Sequence, residues 1–238
     1  MTESEKNIIK QNIANIRAEM NTALQKSPYK QEAILLAATK TRTSEEINYA
    51  ISCGITHIGE NKVQELIEKY PYIDKENVEI HFIGALQTNK VKYIIDKVEM
   101  IHSLDRISLA EEINKQAAKI NKTMKVLVEV NIGDEESKSG VKADECIEFV
   151  EKLSKYPNIK VCGLMAIPPV CVDFDSQKQY FKKIMKIFID ISQKKLDNIN
   201  MYFISFGMSN DYIPALEEGS NLIRIGTGIF GARNYNKQ

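Results

Sequence analysis

The run "AILLAATKTRTSEEI" (Ala33 to Ile47) places a lysine, Lys40, at the end of an apolar stretch and directly before a helix start. Side chains alternate along a strand, so Lys40 shares a face with Ile34, Leu36 and Ala38. A free lysine has a pKa of about 10.4, which leaves roughly one amine in a thousand neutral near pH 7.4. Desolvation lowers that pKa and makes a lysine at the buried end of a strand a nucleophile for carbonyl carbon. A lysine paired with Glu60 or Asp105 to close the core accounts for the same position. Placement alone leaves both readings open.

A second cluster lies near the C-terminus. In "SFGMSNDYIPALEEG", Gly207, Met208 and Ser209 come just before a helix that should begin near Asn210 or Asp211. Free backbone N–H groups at such a start, with a serine hydroxyl beside them, suit a phosphate. Immediately downstream, "RIGTGIFGAR" carries Gly226, Thr227, Gly228 and Gly231, where the backbone can approach a ligand closely. A phosphate rim together with an inward lysine calls for a ligand bearing both an aldehyde and a phosphate. Pyridoxal 5′-phosphate (PLP) fits, as does a phosphorylated sugar in a class I aldolase. Arg224, three residues before Thr227, could meet a pyridine nitrogen or add charge at the phosphate.

Other polar residues carry less. His57, His81 and His102 fall in separate strands without H-x-H or H-E-x-x-H spacing, so no zinc site is expected. Asp134, Glu135 and Glu136 read as a solvated loop rather than a metal site. Gln87 and Asn89 follow a strand and read as capping groups. Thr43-x-x-Glu46 is a capping box and accounts for itself.

These residues need strands to hold them. Short β-rich runs recur at Ile34–Lys40, Thr56–Glu60, Glu79–Gly84, Met100–Leu104, Lys125–Ile132, Lys160–Ile167, Met201–Gly207 and Leu222–Gly231. Helical patterns separate them near 44–53, 61–70, 88–97, 106–121, 142–156, 174–195 and 210–218. Strict alternation implies parallel strands with helical crossovers. With an amphipathic helix near Glu3–Gln25 as the eighth, the pattern predicts a single α/β domain, a closed (β/α)8 TIM-type barrel spanning 1–238; an open doubly wound sheet is the alternative. In such a barrel, functional groups gather at the C-terminal ends of strands. Lys40, Asn61, Ser103, Asp105, Asn131, Ser205 and Arg224 are all candidates on that ground.

The bulk numbers agree with one globular domain: 238 residues, 43% hydrophobic and 27% charged. Lysine plus arginine balances aspartate plus glutamate at 32 each, which offers nothing to a polyanion, so no nucleic acid partner is expected. The lysine-lined helix at 174–195 reads as an outer barrel helix, with Phe174, Phe181, Ile184, Met185, Phe188 and Ile191 turned inward. No apolar run reaches the roughly 18 residues of a membrane span, and no membrane role is expected. The N-terminus lacks a signal-peptide pattern, and the four cysteines, without C-x-x-C pairing, read as thiols of a reducing, cytoplasmic setting.

Seven ordered motifs carry a resemblance: "LLAATKT", "GENKVQE", "HFIGALQTNK", "SKSGV", "GLMAIPP", "SFGMSNDYIPALEEGS" and "RIGTGIFGAR". Together, from the N-terminal helix to Arg233, they resemble the PLP homeostasis proteins, the YggS/PROSC family. The resemblance implies a fold-type III barrel similar to the N-terminal domain of alanine racemase, with PLP held as an internal aldimine on Lys40. It maps phosphate contacts onto Met208, Ser209, Gly226 and Thr227, with Ser205 a further member. It sets Arg224 against the pyridine nitrogen and Asn61 beside the cofactor. Phe206, Asn210 and Ala85 depart from the family's usual residues without removing a contact. The chain reaches Gln238, seven residues past Gly231, so the tyrosine base of the racemase second domain has no counterpart. The expectation is therefore a PLP carrier and regulator of PLP and amino-acid pools without turnover, a monomer lacking the racemase dimer interface, with PLP-dependent apo-enzymes as possible recipients. A racemase or decarboxylase is the alternative.

Overall fold

Each strand that the alternation predicts exists, and together they curl into a barrel. The computed structural model describes residues 1–135, 138–169, 171 and 173–232, without the side chain of Phe174. The expected roles of Glu136, Phe174 and Arg233 lie outside this description. The barrel strands are β1 (Ile34–Ala38), β2 (His57–Glu60), β3 (Glu79–Phe82), β4 (Met100–Leu104) and β5 (Met124–Asn131). A two-residue β6 (Val141–Lys142), which the sequence pattern does not reveal, pairs with β5. Then follow β7 (Ile159–Ala166), β8 (Ile199–Ser205) and β9 (Leu222–Ile225).

Around the barrel the order is β8-β7-β5-β4-β3-β2-β1-β9, every pairing parallel. The seam between β8 and β9 is drawn together by Asn221 N–H on the Ile204 carbonyl and Arg224 N–H on the Gly207 carbonyl, both at 3.1 Å.

Period-two alternation separates two apolar layers. Leu36, Ala38, Ile83, Met100, Leu127, Cys162, Met165 and Leu222 fill the inside of the barrel. Leu35, Ala37, Ile58, Phe82, Val126, Val128, Leu164 and Ile223 face outward against the helices. The helices are α1 (Glu3–Lys26), α2 (Ser44–Ser52), α3 (Val63–Lys69), α4 (Ile107–Lys119), α5 (Cys146–Leu153), α6 (Phe174–Ser192), α7 (Tyr212–Glu217) and α8 (Thr227–Phe230). Helix α1 buries Ile9, Ile13, Ile16, Met20 and Ala23 and packs against α7 and α8, the place of a barrel's eighth helix. The Thr43–Glu46 capping box opens α2 as its spacing predicts.

Three elements differ from expectation. The helix expected at 88–97 is a 3-10 helix, Thr88–Tyr93, in which Val91 still turns inward. The first strand ends at Ala38, and Lys40 sits in the turn beyond it. The last strand stops at Ile225, because the N–H groups of Ile229 and Phe230 turn back onto the Gly226 carbonyl and wind α8. All four cysteines are free thiols.

Gly163 marks the place where the β7–β8 register shifts. Its φ is +151°, and a Cβ there would lie 1.7 Å from the Phe203 carbonyl oxygen. No side chain fits without parting the strands. Gly163→Ala is expected to cost roughly 3–5 kcal/mol and lower the Tm by about 10 °C, read by urea and thermal unfolding.

Candidate cofactor-binding site at the barrel mouth

Lys40 is held by its neighbours in the chain. Arg42 N–H bonds the Thr39 carbonyl at 3.0 Å, closing a turn in which Thr41 takes a φ of +65°. That is the positive φ of the third residue in a type II turn, costly for a β-branched side chain. Glu65 holds it there by accepting the Thr41 N–H at 2.8 Å. On the other side, Lys69 donates to the Thr39 carbonyl at 3.0 Å and to Glu60 at 2.8 Å, and the Thr39 hydroxyl donates to Glu60 at 2.6 Å. Lys69 also reaches Glu65 at 3.1 Å. One lysine and two glutamates thus clamp both flanks of Lys40. Glu60, at 0% exposure, takes Lys69 as its counter-ion, and Asp105 takes Arg106 at 2.6 Å.

Arg224 stands on the neighbouring strand, its backbone in register with Leu36 of β1. The guanidinium is 5% exposed and donates to the Ser205 carbonyl at 3.0 Å, to the Ser205 hydroxyl and to the Ala166 carbonyl at 3.1 Å. Among the described residues no carboxylate reaches it at ion-pair distance. Burial pulls its pKa down to about 10, opposed by Glu129 and Asp211, and it remains a cation that can only donate. Ser205 is buried, donates its hydroxyl hydrogen bond to the Leu222 carbonyl at 3.0 Å, and accepts from the arginine.

The two glycine-bearing loops meet at the rim. Gly207, with φ +97°, turns the chain out of β8; a Cβ there would sit 2.6 Å from that of Ala215. The Ser209 hydroxyl accepts the Gly228 N–H at 3.2 Å and ties the start of α7 to the start of α8. Met208 N–H is taken by Asp211 at 2.6 Å. The backbone N–H groups of Ser209, Asn210 and Thr227 find no acceptor among the described residues. Gly226 lies against β1, where a Cβ would be 3.3 Å from the Ala38 carbonyl. Asn61 Oδ1 and Ser103 Oγ are buried and find no partner among the described residues.

The structure therefore brings Lys40, Asn61, Ser205, Met208, Ser209, Arg224, Gly226 and Thr227 to the C-terminal mouth, on or beside β1, β2, β8 and β9. Sequence reasoning missed two things. The Glu60–Lys69–Glu65 clamp joins residues whose Glu-x-x-x-Lys spacing is visible only for Glu65 and Lys69. Glu129, on the inward side of β5 with Leu127, is pushed up to about 7 by burial and by Asp105, with Arg224 opposing. The acidic loop is closed by Asn131, whose amide bonds the Glu135 carbonyl at 2.8 Å, and Asp134 pairs with Lys183 at 3.2 Å. The three histidines, far apart in the chain, line up inside the barrel towards its opposite end.

Two measurements test these contacts. Lys69→Met leaves Glu60 buried without its counter-ion and is expected to cost about 3–5 kcal/mol in urea unfolding; adding Glu60→Gln should recover most of it. Glu129 has a folded pKa raised above the usual 4.5, so its contribution to stability is full below that pH and lost as pH rises through about 7. Glu129→Gln should flatten the pH dependence of the unfolding free energy between pH 4.5 and 7, by about 3 kcal/mol at most, read by urea unfolding.

Residues 9–234 match the alanine racemase N-terminal domain family. A pyridoxal phosphate homeostasis protein of Aquifex aeolicus is 45% identical over 203 residues, 85% of this chain and 88% of its own. One from Pasteurella multocida is 38% identical, covering 96% of this chain and 99% of its own. Among solved structures, PipY of Synechococcus elongatus with PLP bound superposes at a TM-score of 0.81 with 27% identity, covering 94% of this chain and 100% of PipY. The chain therefore belongs to the alanine racemase N-terminal domain family, among the pyridoxal phosphate homeostasis proteins.

Proposed function

We propose that this chain binds PLP at the C-terminal mouth of its barrel, with Lys40 Nζ capturing the aldehyde carbon, and serves intracellular PLP and amino-acid homeostasis without turnover. The observation that carries the reading is Arg224: a buried guanidinium locked by two carbonyls and a hydroxyl, one strand from Lys40. Such a group offers a fixed donor to a ring nitrogen and no acceptor. The mouth also fits the rest of the cofactor. Unpartnered N–H groups of Ser209, Asn210 and Thr227 suit a phosphate, and the unpartnered Asn61 Oδ1 and Ser103 Oγ suit a polar ring substituent.

Bound PLP supplies an aldehyde for amines and an electron-withdrawing ring. The chain's own residues limit what that ring can do. The Arg224 cation keeps a ring nitrogen unprotonated, which weakens electron withdrawal. The Glu60–Lys69–Glu65 clamp fixes the backbone on both sides of Lys40. The relatives' names support a homeostatic role over turnover. Among the described residues no helix is long and apolar enough to cross a membrane. A monomer working in the cytoplasm, delivering PLP to apo-enzymes, completes the proposal. One observation favours the alternative of a racemase or decarboxylase: Glu129, with its pKa near 7, is suited to move a proton beside the mouth.

Borohydride treatment of the PLP-loaded protein should leave a pyridoxyl group on Lys40 by peptide mapping, and none in Lys40→Ala. Arg224→Gln should shift the visible absorbance of the bound cofactor. Ser209→Ala with Thr227→Val should weaken PLP retention by roughly 10–100-fold, the loss expected for hydrogen bonds to a charged group. Sustained loss of optical activity from D- or L-alanine, abolished in Lys40→Ala and in Glu129→Gln, would overturn the reading without turnover.

A further inference from the structure

The N-terminal end of the barrel, opposite Lys40, holds a second constellation. Glu79 and His81 are two residues apart on β3 and share its inward face, and His57 on β2 is the register partner of Glu79. One ligand atom from each of His57, Glu79 and His81 lies within 4.8 Å of the others. Glu79 Oε2 is 3.4 Å from His81 Nε2. We propose that these three residues bind a divalent first-row transition ion of the zinc type, leaving one position of a tetrahedral shell for water.

The donor set is chemically apt. Two imidazoles and a carboxylate suit zinc and its neighbours, with ligand bonds of about 2.0–2.2 Å. That places tetrahedral ligands roughly 3.3 Å apart, so only modest side-chain rotation is needed. The supporting groups are already in place. His57 Nδ1 is bonded to Thr56 Oγ1 at 2.9 Å, and His81 Nδ1 to His102 Nε2 at 2.9 Å. His81 therefore turns Nε2 to Glu79, and both imidazoles have Nδ1 anchored by a neighbour, as metal-ligating histidines have their second nitrogen. His81 is buried, while His57 and Glu79 are part-exposed, so an ion has a way in. Burial lowers the pKa of all three histidines, which favours the neutral imidazoles that a metal requires over imidazolium. The groups facing the cluster are Lys125 from β5, which repels a cation, and Glu99, which attracts one.

Binding has a signature inside the core. Without metal, the Glu79 carboxylate faces His81 Nε2, which must then carry the proton; His81 Nδ1 accepts, and His102 Nε2 donates. With a metal on His81 Nε2, the proton moves to Nδ1 and His102 Nε2 becomes the acceptor. His102 Nδ1 is buried and finds no partner among the described residues, so moving a proton onto it leaves the count of unpaired groups unchanged.

The test is calorimetric titration of the chelator-treated full chain with zinc sulfate, with and without PLP. One equivalent is expected to bind. His57→Ala and Glu79→Gln, both at part-exposed positions, should each weaken affinity by at least ~10-fold with unchanged thermal unfolding in chelator, and Lys125→Met should strengthen it. Nitrogen-15 NMR of the imidazoles should show the His81 and His102 tautomers exchanging on zinc addition. No binding at millimolar zinc, affinity that survives both ligand substitutions, or tautomers unmoved by bound zinc would each overturn the proposal.

Discussion

Eight parallel strands that close on themselves impose a strict division of side chains, and the working parts of this molecule follow from it. Every second residue enters a narrow interior filled by side chains, so a polar group buried there must find partners in the protein. Arg224 shows the consequence most clearly. Its charge is tolerated because carbonyls of β7 and β8 and the Ser205 hydroxyl converge on it, and those contacts exist only when β9 closes against β1 and β8. A buried cation so held is oriented before any ligand arrives.

The same division treats the two ends of the barrel differently. At the C-terminal end the strands run out into turns, where backbone N–H groups point away from the sheet and remain available. Ser209 tying itself to Gly228 brings two such turns together, so a phosphate would meet donors from two elements at once. At the N-terminal end, the inward positions carry imidazoles and a carboxylate stacked from β2 to β4. His57, His81 and His102 sit ring to ring, with centroids 5.4 and 5.0 Å apart. The interior is thus polar at both ends and apolar across its middle, where Leu36, Leu127, Cys162 and Leu222 meet.

Rigidity around Lys40 comes from outside the barrel wall. Glu60 belongs to the outward face of β2, yet it reaches Thr39 and Lys69 and so braces the turn from behind. An ion pair in this position adds little to stability against an apolar substitute, but removing either partner alone strands a charge in the core. Its use is geometric: the backbone flanking Lys40 cannot drift, even with Thr41 in a strained conformation.

Local pattern in the chain was enough to place much of this. Alternating strand and helix periods announced the barrel, the apolar run ahead of Lys40 announced the buried strand that leads to it, and Thr43-x-x-Glu46 announced the start of α2. Glycines beside a serine announced the two rim loops. Each of these signals spans a few residues and depends on backbone geometry that neighbours in sequence decide. What tertiary structure alone decided involves residues brought together by strand register: Ser205 under Arg224, Lys69 on Glu60, and Glu79-x-His81 opposite His57. Strand register depends on how neighbouring strands stagger as the barrel closes, and no short stretch of sequence encodes that stagger. The winding of Thr227–Phe230 into α8 belongs to the same class, because a glycine-rich run of this kind suits strand and turn alike until packing against α1 chooses between them.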